Sequence, residues 1–329
     1  MQYLDVLATK KEEIRQLGKS FWENNAIVLP WVDAGFTFAF RGQGAVIGFA
    51  PCQTEQPVYL RVFVDDAYSF RFPVSTGAEK ISLDGLDENA IHTVKVLRVT
   101  EGNPLLVNDI RLVGDEMAVC EKPAQKLRLA FVGDSITCGY GVLGPNGPCY
   151  YTYEQDSTRS YAGMTAEKLD AEIFASASSG KGFVANCDGN REDLLLSQGF
   201  RQKTLTDGVW DHQSYVPDVF VINVGTNDAC GGITDEEWIP AAVAFMEEVR
   251  AAFPKVPIIY CYGMMDKTKL GAVEKAVAIF NEKDGNAWFL PTASVYDNEY
   301  EIGAVGHPNT HAAQRVSEEL TALIRRILV

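Results

Sequence analysis

The sequence predicts an antiparallel β-sandwich (jelly roll) followed by an α/β domain built on a parallel sheet. Three observations predict it. Short alternating or apolar runs recur between turn residues through the first third of the chain, the pattern of small strands in a sandwich. Beyond about residue 126 these give way to continuous apolar runs, as expected of parallel strands buried on both faces. Helical segments separate those later runs, which indicates an α/β layer fold. The 329 residues are also long for one core, since typical domains hold roughly 100–200 residues.

Taken in chain order, Leu4–Leu17 reads as a short amphipathic helix. Strands are then expected at Ala26–Leu29, Gly35–Phe40, Ala45–Ala50, Val58–Val64, Tyr68–Phe72, Thr93–Val99 and Leu105–Leu112. Turn signals punctuate them, such as Arg41-Gly42-Gln43-Gly44 and Glu101-Gly102-Asn103-Pro104. The polar stretch from Gly114 to Lys126, with Lys122-Pro123, marks a domain boundary, giving a sandwich over residues 1–120 and a second domain over 121–329. That domain opens on the apolar run Leu127–Val132 and continues with Val219–Val224 and Pro257–Tyr262. Thr234 and Glu237 have capping-box spacing at a helix start. In the last helix, Asn309–Val329, residues Val316, Leu320, Leu323, Ile324 and Ile327 fall on one face.

Composition narrows the partners. Hydrophobic residues make up 47% and charged residues 22%, ordinary for a soluble globular protein. The net charge of −15 repels phosphate backbones and anionic membranes, so nucleic acid and lipid surfaces are poor partners and a neutral substrate fits better. No stretch approaches the ~20 apolar residues of a membrane span. Lys10, Lys11, Glu12 and Glu13 stand where a secretion signal would continue its apolar core. The seven cysteines are scattered, without C-x-x-C spacing. They read as reduced, buried thiols in a cytoplasmic protein.

Four motifs follow strands of the second domain. Gly133-Asp134-Ser135-Ile136-Thr137-Cys138-Gly139-Tyr140-Gly141 leaves the first strand at the sheet edge where open α/β folds bind ligands. Its serine is either an exposed hydroxyl or a helix N-cap. Ser178-Ser179-Gly180-Lys181-Gly182 could present bare N–H groups to an anion or be an ordinary βα turn; it lacks the residues of a nucleotide loop. Gly225-Thr226-Asn227-Asp228 offers an amide donor or an Asx-type turn. Gly306-His307-Pro308-Asn309 precedes the last helix, where His307 sits in a loop or simply at a helix entry. A metal pair of His307 and His311 is set aside, because no carboxylate or thiol lies near them in a ligand spacing.

Taken together, the order Ser, Gly, Asn, His, each at a strand end, resembles the SGNH (GDSL-type) hydrolase superfamily over about Leu127–Val329. The preceding sandwich and the extended G-D-S-I-T-C-G-Y-G stretch resemble carbohydrate esterase family 2. Gly35–Gly42 and His92–Val96 are similar to that family's N-terminal domain. The resemblance implies a three-layer α/β/α hydrolase domain and removal of O-acetyl groups from xylan- or mannan-type glycans. It implies Ser135 as nucleophile and His307 as general base. The backbone N–H groups of Ser135 and Gly180 and the Asn227 side chain would hold the oxyanion. No cofactor or metal is implied. The superfamily's usual aspartate three residues before the histidine is Ala304 here. A Ser–His dyad with a backbone carbonyl orienting the imidazole is therefore preferred, with Glu301 or Asp228 as possible substitutes. Asp134 reads as a structural bond to its loop. Tyr140, Trp210 and Trp238 are candidates for a sugar-stacking platform. Two other functions are weighed: an esterase or thioesterase for lipid-like acyl groups, and a carbohydrate-binding protein without catalysis.

Overall fold

A computed structural model describes residues 2–52, 55–114, 118–120 and 124–328. The chain forms two compact units, Met1–Gln125 and Lys126–Val329. Lys122 and Pro123, the sequence's boundary signal, lie outside the described residues.

The first unit is a β-sandwich. Its opening segment departs from expectation. Instead of a helix over Leu4–Leu17, it holds strand β1 (Gln2–Asp5), one helical turn α1 (Val6–Thr9) capped by Asp5, a 3-10 turn at Lys11–Glu13 and strand β2 (Arg15–Leu17). The helical spacing was real but local: Leu4 and Leu17 lie in strands paired with Leu112 and Gly35, so tertiary pairing overrides propensity. The remaining strands are β3 (Phe21–Glu23), β4 (Ala26–Leu29), β5 (Gly35–Arg41), β6 (Gly44–Phe49), β7 (Val58–Val64), β8 (Tyr68–Val74), β9 (Lys80–Leu83), β10 (Ile91–Arg98), β11 (Leu105–Gly114) and β12 (Ala118–Val119). One sheet runs β3-β4-β11-β6-β9 with β1 beside β11; the other runs β12-β5-β10-β7-β8 with β2 beside β5. Strict alternation in β7 buries Val58, Leu60, Val62 and Val64. They join Phe36, Phe38, Ile47 and Leu105 from both sheets in one core, as expected when two inner faces interdigitate.

The second unit is a three-layer α/β/α domain. Five parallel strands, β13 (Leu127–Gly133), β14 (Ala171–Ala177), β15 (Val219–Asn223), β16 (Ile258–Tyr262) and β17 (Ala287–Pro291), lie in the order β14-β13-β15-β16-β17. Its helices are α2 (Ser135–Cys138), α3 (Tyr161–Lys168), α4 (Leu196–Arg201), α5 (Thr226–Cys230), α6 (Asp235–Ala252), α7 (Leu270–Asn281) and α8 (Thr310–Ile327). Successive strand residues point to opposite faces. Leu129, Phe131, Val219 and Val221 pack with Tyr161 and Ala162 of α3 and Val316, Leu320 and Ile324 of α8. Phe220 faces the other way, against Phe200 of α4, Phe245 of α6 and Phe253. The capping box read from the sequence is present, with Thr234 and Glu237 capping α6 reciprocally, and Asn309 caps α8. The order places β13 between β14 and β15, so the chain turns opposite ways from β13. The carboxyl ends of β13 and β15 thus flank a topological switch point, where α/β folds bind ligands.

Only Cys52, Cys138 and Cys261 are buried; Cys120 is intermediate, and Cys149, Cys187 and Cys230 are exposed. The expectation of uniformly buried thiols is therefore corrected. The exposed three lie on loops or at a helix end, where no apolar packing covers them.

Candidate active site

The sharp exit from β13 creates the serine's position. A Cβ on Gly133 would lie 2.0 Å from Thr137 Oγ1, so only glycine permits the turn to close this tightly. Asp134 then caps α2 by accepting the Ile136 N–H at 3.0 Å. Its other oxygen accepts from Asn227 Nδ2 at 3.2 Å. Asp134 is fully buried and ties two strand-end loops together, as read from the sequence. Ser135 opens α2 and is 7% exposed.

His307 meets this serine. Its Nε2 lies 2.9 Å from Ser135 Oγ, and its Nδ1 lies 3.1 Å from the Val305 carbonyl oxygen. A carbonyl only accepts, so the proton sits on Nδ1 and Nε2 is left to accept from the serine hydroxyl. Burial pushes the imidazole's pKa below its ordinary value, while the backbone carbonyls of Val305 and Ala304 pull it partly back.

The loop behind His307 is strained and firmly held. Val305 is β-branched yet has φ of 51°, a conformation costing on the order of 1–3 kcal/mol. Its N–H donates to Gly147 O at 2.9 Å, the Ala304 N–H donates to Gly141 O at 3.1 Å, and the His307 N–H donates to Ala304 O at 3.1 Å. Tyr296 Oη donates to Gly306 O at 3.2 Å. Gly141, with φ of 66°, would place a Cβ 2.7 Å from Ala304 O. The last glycine of the G-D-S block therefore lets the serine loop and the histidine loop touch.

The two acidic candidates for a third member are otherwise engaged. Glu301 makes a two-point ion pair with Arg315, at 3.0 and 2.6 Å, which holds its carboxyl below the usual range. Buried Asp228 accepts the N–H groups of Phe183, Val184 and Ala185 at 2.7–3.1 Å and the Trp238 indole N–H at 3.1 Å. It anchors the loop that follows Gly180. Val305 therefore supplies the oxygen facing Nδ1; a backbone carbonyl was the preferred reading of the sequence, which did not name the residue.

Asn227 links the serine loop, through Asp134, to the loop of Gly180 and Lys181. Among the described residues, the N–H groups of Ser135 and Gly180 meet no acceptor. Asn227 Nδ2 donates to Lys181 O at 2.9 Å as well as to Asp134. Both of its amide hydrogens are thus engaged. A hydroxyl beside a correctly protonated imidazole, with amide donors on neighbouring loops, is equipped for acyl transfer through a covalent intermediate.

Of the three aromatic candidates, the structure brings only Tyr140 to the site. Its ring lies 4.6 Å from that of His307 and stacks at 3.7 Å on Tyr150. Trp238 is fully buried, with its ring against Tyr260 and Phe183. Trp210 is 7% exposed and packs on Phe174. Neither offers a face to a sugar, because both rings are buried against aromatic neighbours, Trp238 from within α6. His311 is exposed at the start of α8, and no group of three or more metal-ligating side chains occurs among the described residues.

Comparisons with known proteins agree with this architecture. The model of the GDSL-like Lipase/Acylhydrolase family matches residues 131–327. The cellulase/esterase CelE of Acetivibrio thermocellus is 29% identical over 271 residues, covering 78% of this chain. The chain spans only 33% of that relative's length. An acetylxylan esterase/glucomannan deacetylase of Cellvibrio japonicus is 23% identical over 90% of this chain and 86% of its own. The solved acetyl xylan esterase of the rumen bacterium Butyrivibrio proteoclasticus superposes with a TM-score of 0.90 at 18% identity, covering 100% of this chain and 99% of that one. At that identity the match shows a shared fold.

Proposed function

We propose that this chain, which belongs to the GDSL-like Lipase/Acylhydrolase family, is a serine esterase that removes O-acetyl groups from xylan- or mannan-type oligo- and polysaccharides. The 2.9 Å contact between Ser135 Oγ and His307 Nε2 carries the reading. Ser135 attacks the acetyl carbonyl as His307 Nε2 takes its proton. The backbone N–H groups of Ser135 and Gly180, with the Asn227 amide, stabilise the tetrahedral oxyanion. His307 returns the proton to the departing sugar hydroxyl, leaving an acetyl-enzyme. Water, deprotonated by the same imidazole, then releases acetate and frees the serine. The Val305 carbonyl does the orienting work of a triad acid, fixing the tautomer and ring direction without adding a negative charge.

Support for the substrate comes from the relatives. Two proteins that match most of this chain are named for esterase or glycan deacetylase activity. The intact Ser–His contact weighs against a purely binding role. The test is acetate release from acetylated xylan- and mannan-derived oligosaccharides, with Ser135→Ala alongside. Release by the parent and none by the variant supports the proposal. Ser135-dependent cleavage of an aryl acetate, with both glycans untouched, would retain the mechanism and reject the substrate.

A further inference from the structure

Among the described residues, nine large apolar side chains of the second unit are exposed, and six of them lie on the segments that meet around His307. They are Leu143, Tyr151, Tyr153, Tyr296, Tyr300 and Val305. Scattered exposure needs no explanation, but concentration beside a site marks a binding surface. These segments are rigidly joined. Gly147 pairs with Ala304, Val305 N–H donates to Gly147 O at 2.9 Å, and Leu143 N–H donates to Glu154 O at 2.9 Å.

Tyr151 and Tyr153 stand out within this set. Their rings are nearly parallel, at 7°, with centroids 5.3 Å apart, and they are 48% and 53% exposed. The turn that displays them is fixed, because Glu154 Oε2 accepts the Tyr151 N–H at 2.9 Å. Tyr150, the residue before, stacks on Tyr140, which in turn lies against His307. Tyr151 and Tyr153 therefore lie on the segment that carries Tyr150 and that meets the histidine loop through the Gly147–Ala304 pairing.

Resting on the deacetylase reading above, we infer that Tyr151 and Tyr153 form a subsite for the sugars flanking the acetylated one, taking a neutral β-1,4-linked pyranose chain. The faces of such pyranoses are lined with C–H groups and stack on aromatic rings, while the phenol hydroxyls stay wet among the sugar hydroxyls. Side chains already held in place lose little freedom on binding. A fatty acyl chain would need an enclosed apolar groove, which an open pair of tyrosines does not supply. The net charge of −15 favours an uncharged chain over a polyanion.

The test is calorimetric titration of Ser135→Ala protein with xylohexaose and mannohexaose, with and without Tyr151→Ala/Tyr153→Ala. Expected is a Kd weakened about tenfold, the scale of losing central aromatic anchors. Tyr151→Phe/Tyr153→Phe, which keeps both rings, should bind within about threefold of the parent. Tyr153→Ala alone serves if the double alanine variant is unstable. Equal affinity with and without the rings, or no hexaose binding by the parent, overturns the inference. Loss of binding in the phenylalanine variant as well would assign the effect to the hydroxyls and overturn stacking. Failure of glycan deacetylation by the wild-type protein, with ring-dependent hexaose binding intact, would reject the proposed reaction and leave the subsite standing.

Discussion

His307 Nδ1 donates to the carbonyl oxygen of Val305, two residues back in the same loop, across 3.1 Å. Where a carboxylate would draw positive charge onto the ring, a neutral carbonyl fixes only its tautomer and direction. Burial, against the smaller opposing pull of this hydrogen bond, favours the uncharged imidazole that a general base requires.

The sign of the pH dependence follows. The neutral imidazole is the active form, so kcat/KM should fall as pH falls through the His307 pKa. Burial lowers that pKa, so the acid limb should lie below the ordinary histidine value of about 6.5 and not at it. A pH profile of acetate release checks this. An acid limb above 6.5, or none down to about pH 4, would remove His307 from the role of base.

Glu301 and Asp228 should behave as structural carboxylates. Glu301→Gln loses a largely buried ion pair with Arg315, so the thermal midpoint should fall while kcat stays within a few-fold and the acid limb does not move. Asp228→Asn presents an amide to a site of four converging N–H donors. Leaving such donors poorly matched costs about 1–3 kcal/mol or more, so a clear drop in midpoint is expected. A shifted acid limb in either variant would identify it as the histidine's partner.

Restoring the missing aspartate should not help. Ala304 is buried, and its Cβ would lie 3.0 Å from a Cβ on Gly141 and 2.8 Å from one on Gly144. Ala304→Asp would press a carboxylate into that contact, so lower stability and lower kcat are expected. Thermal denaturation and steady-state kinetics together measure this. A gain in kcat would show that the loop can accept a carboxylate after all.

Asn227→Ala should reduce kcat by ~10²–10³ with little change in KM, the usual cost of one oxyanion donor. Ser135 should still react with a fluorophosphonate probe, since the Ser135–His307 contact does not involve Asn227. A loss below about tenfold would leave Asn227 as a tether between Asp134 and Lys181 only.

The sequence by itself determined the layers and the four strand-end blocks. Continuous apolar runs at Leu127–Val132 and Val219–Val224 became adjacent parallel strands, because burial on both faces leaves no other pattern. The capping box at Thr234 and Glu237 was legible because capping is a local hydrogen bond between near neighbours. Strands β3, β9, β12 and β17 were not read, and neither was the true structure of the opening segment. Short runs such as Lys80–Leu83 gain their identity from pairing with distant strands. At the site, residue types named Ser135 and His307, but only tertiary structure decided what faces Nδ1. The Val305 carbonyl acts through its backbone, which every residue possesses, and reaches the imidazole only because contacts from Gly141, Gly147 and Tyr296 hold Ala304–Gly306 in place. Tertiary structure likewise buried Trp210 and Trp238 and exposed Tyr151 and Tyr153. An aromatic side chain is equally suited to a core and to a sugar, and the surrounding layers choose between them.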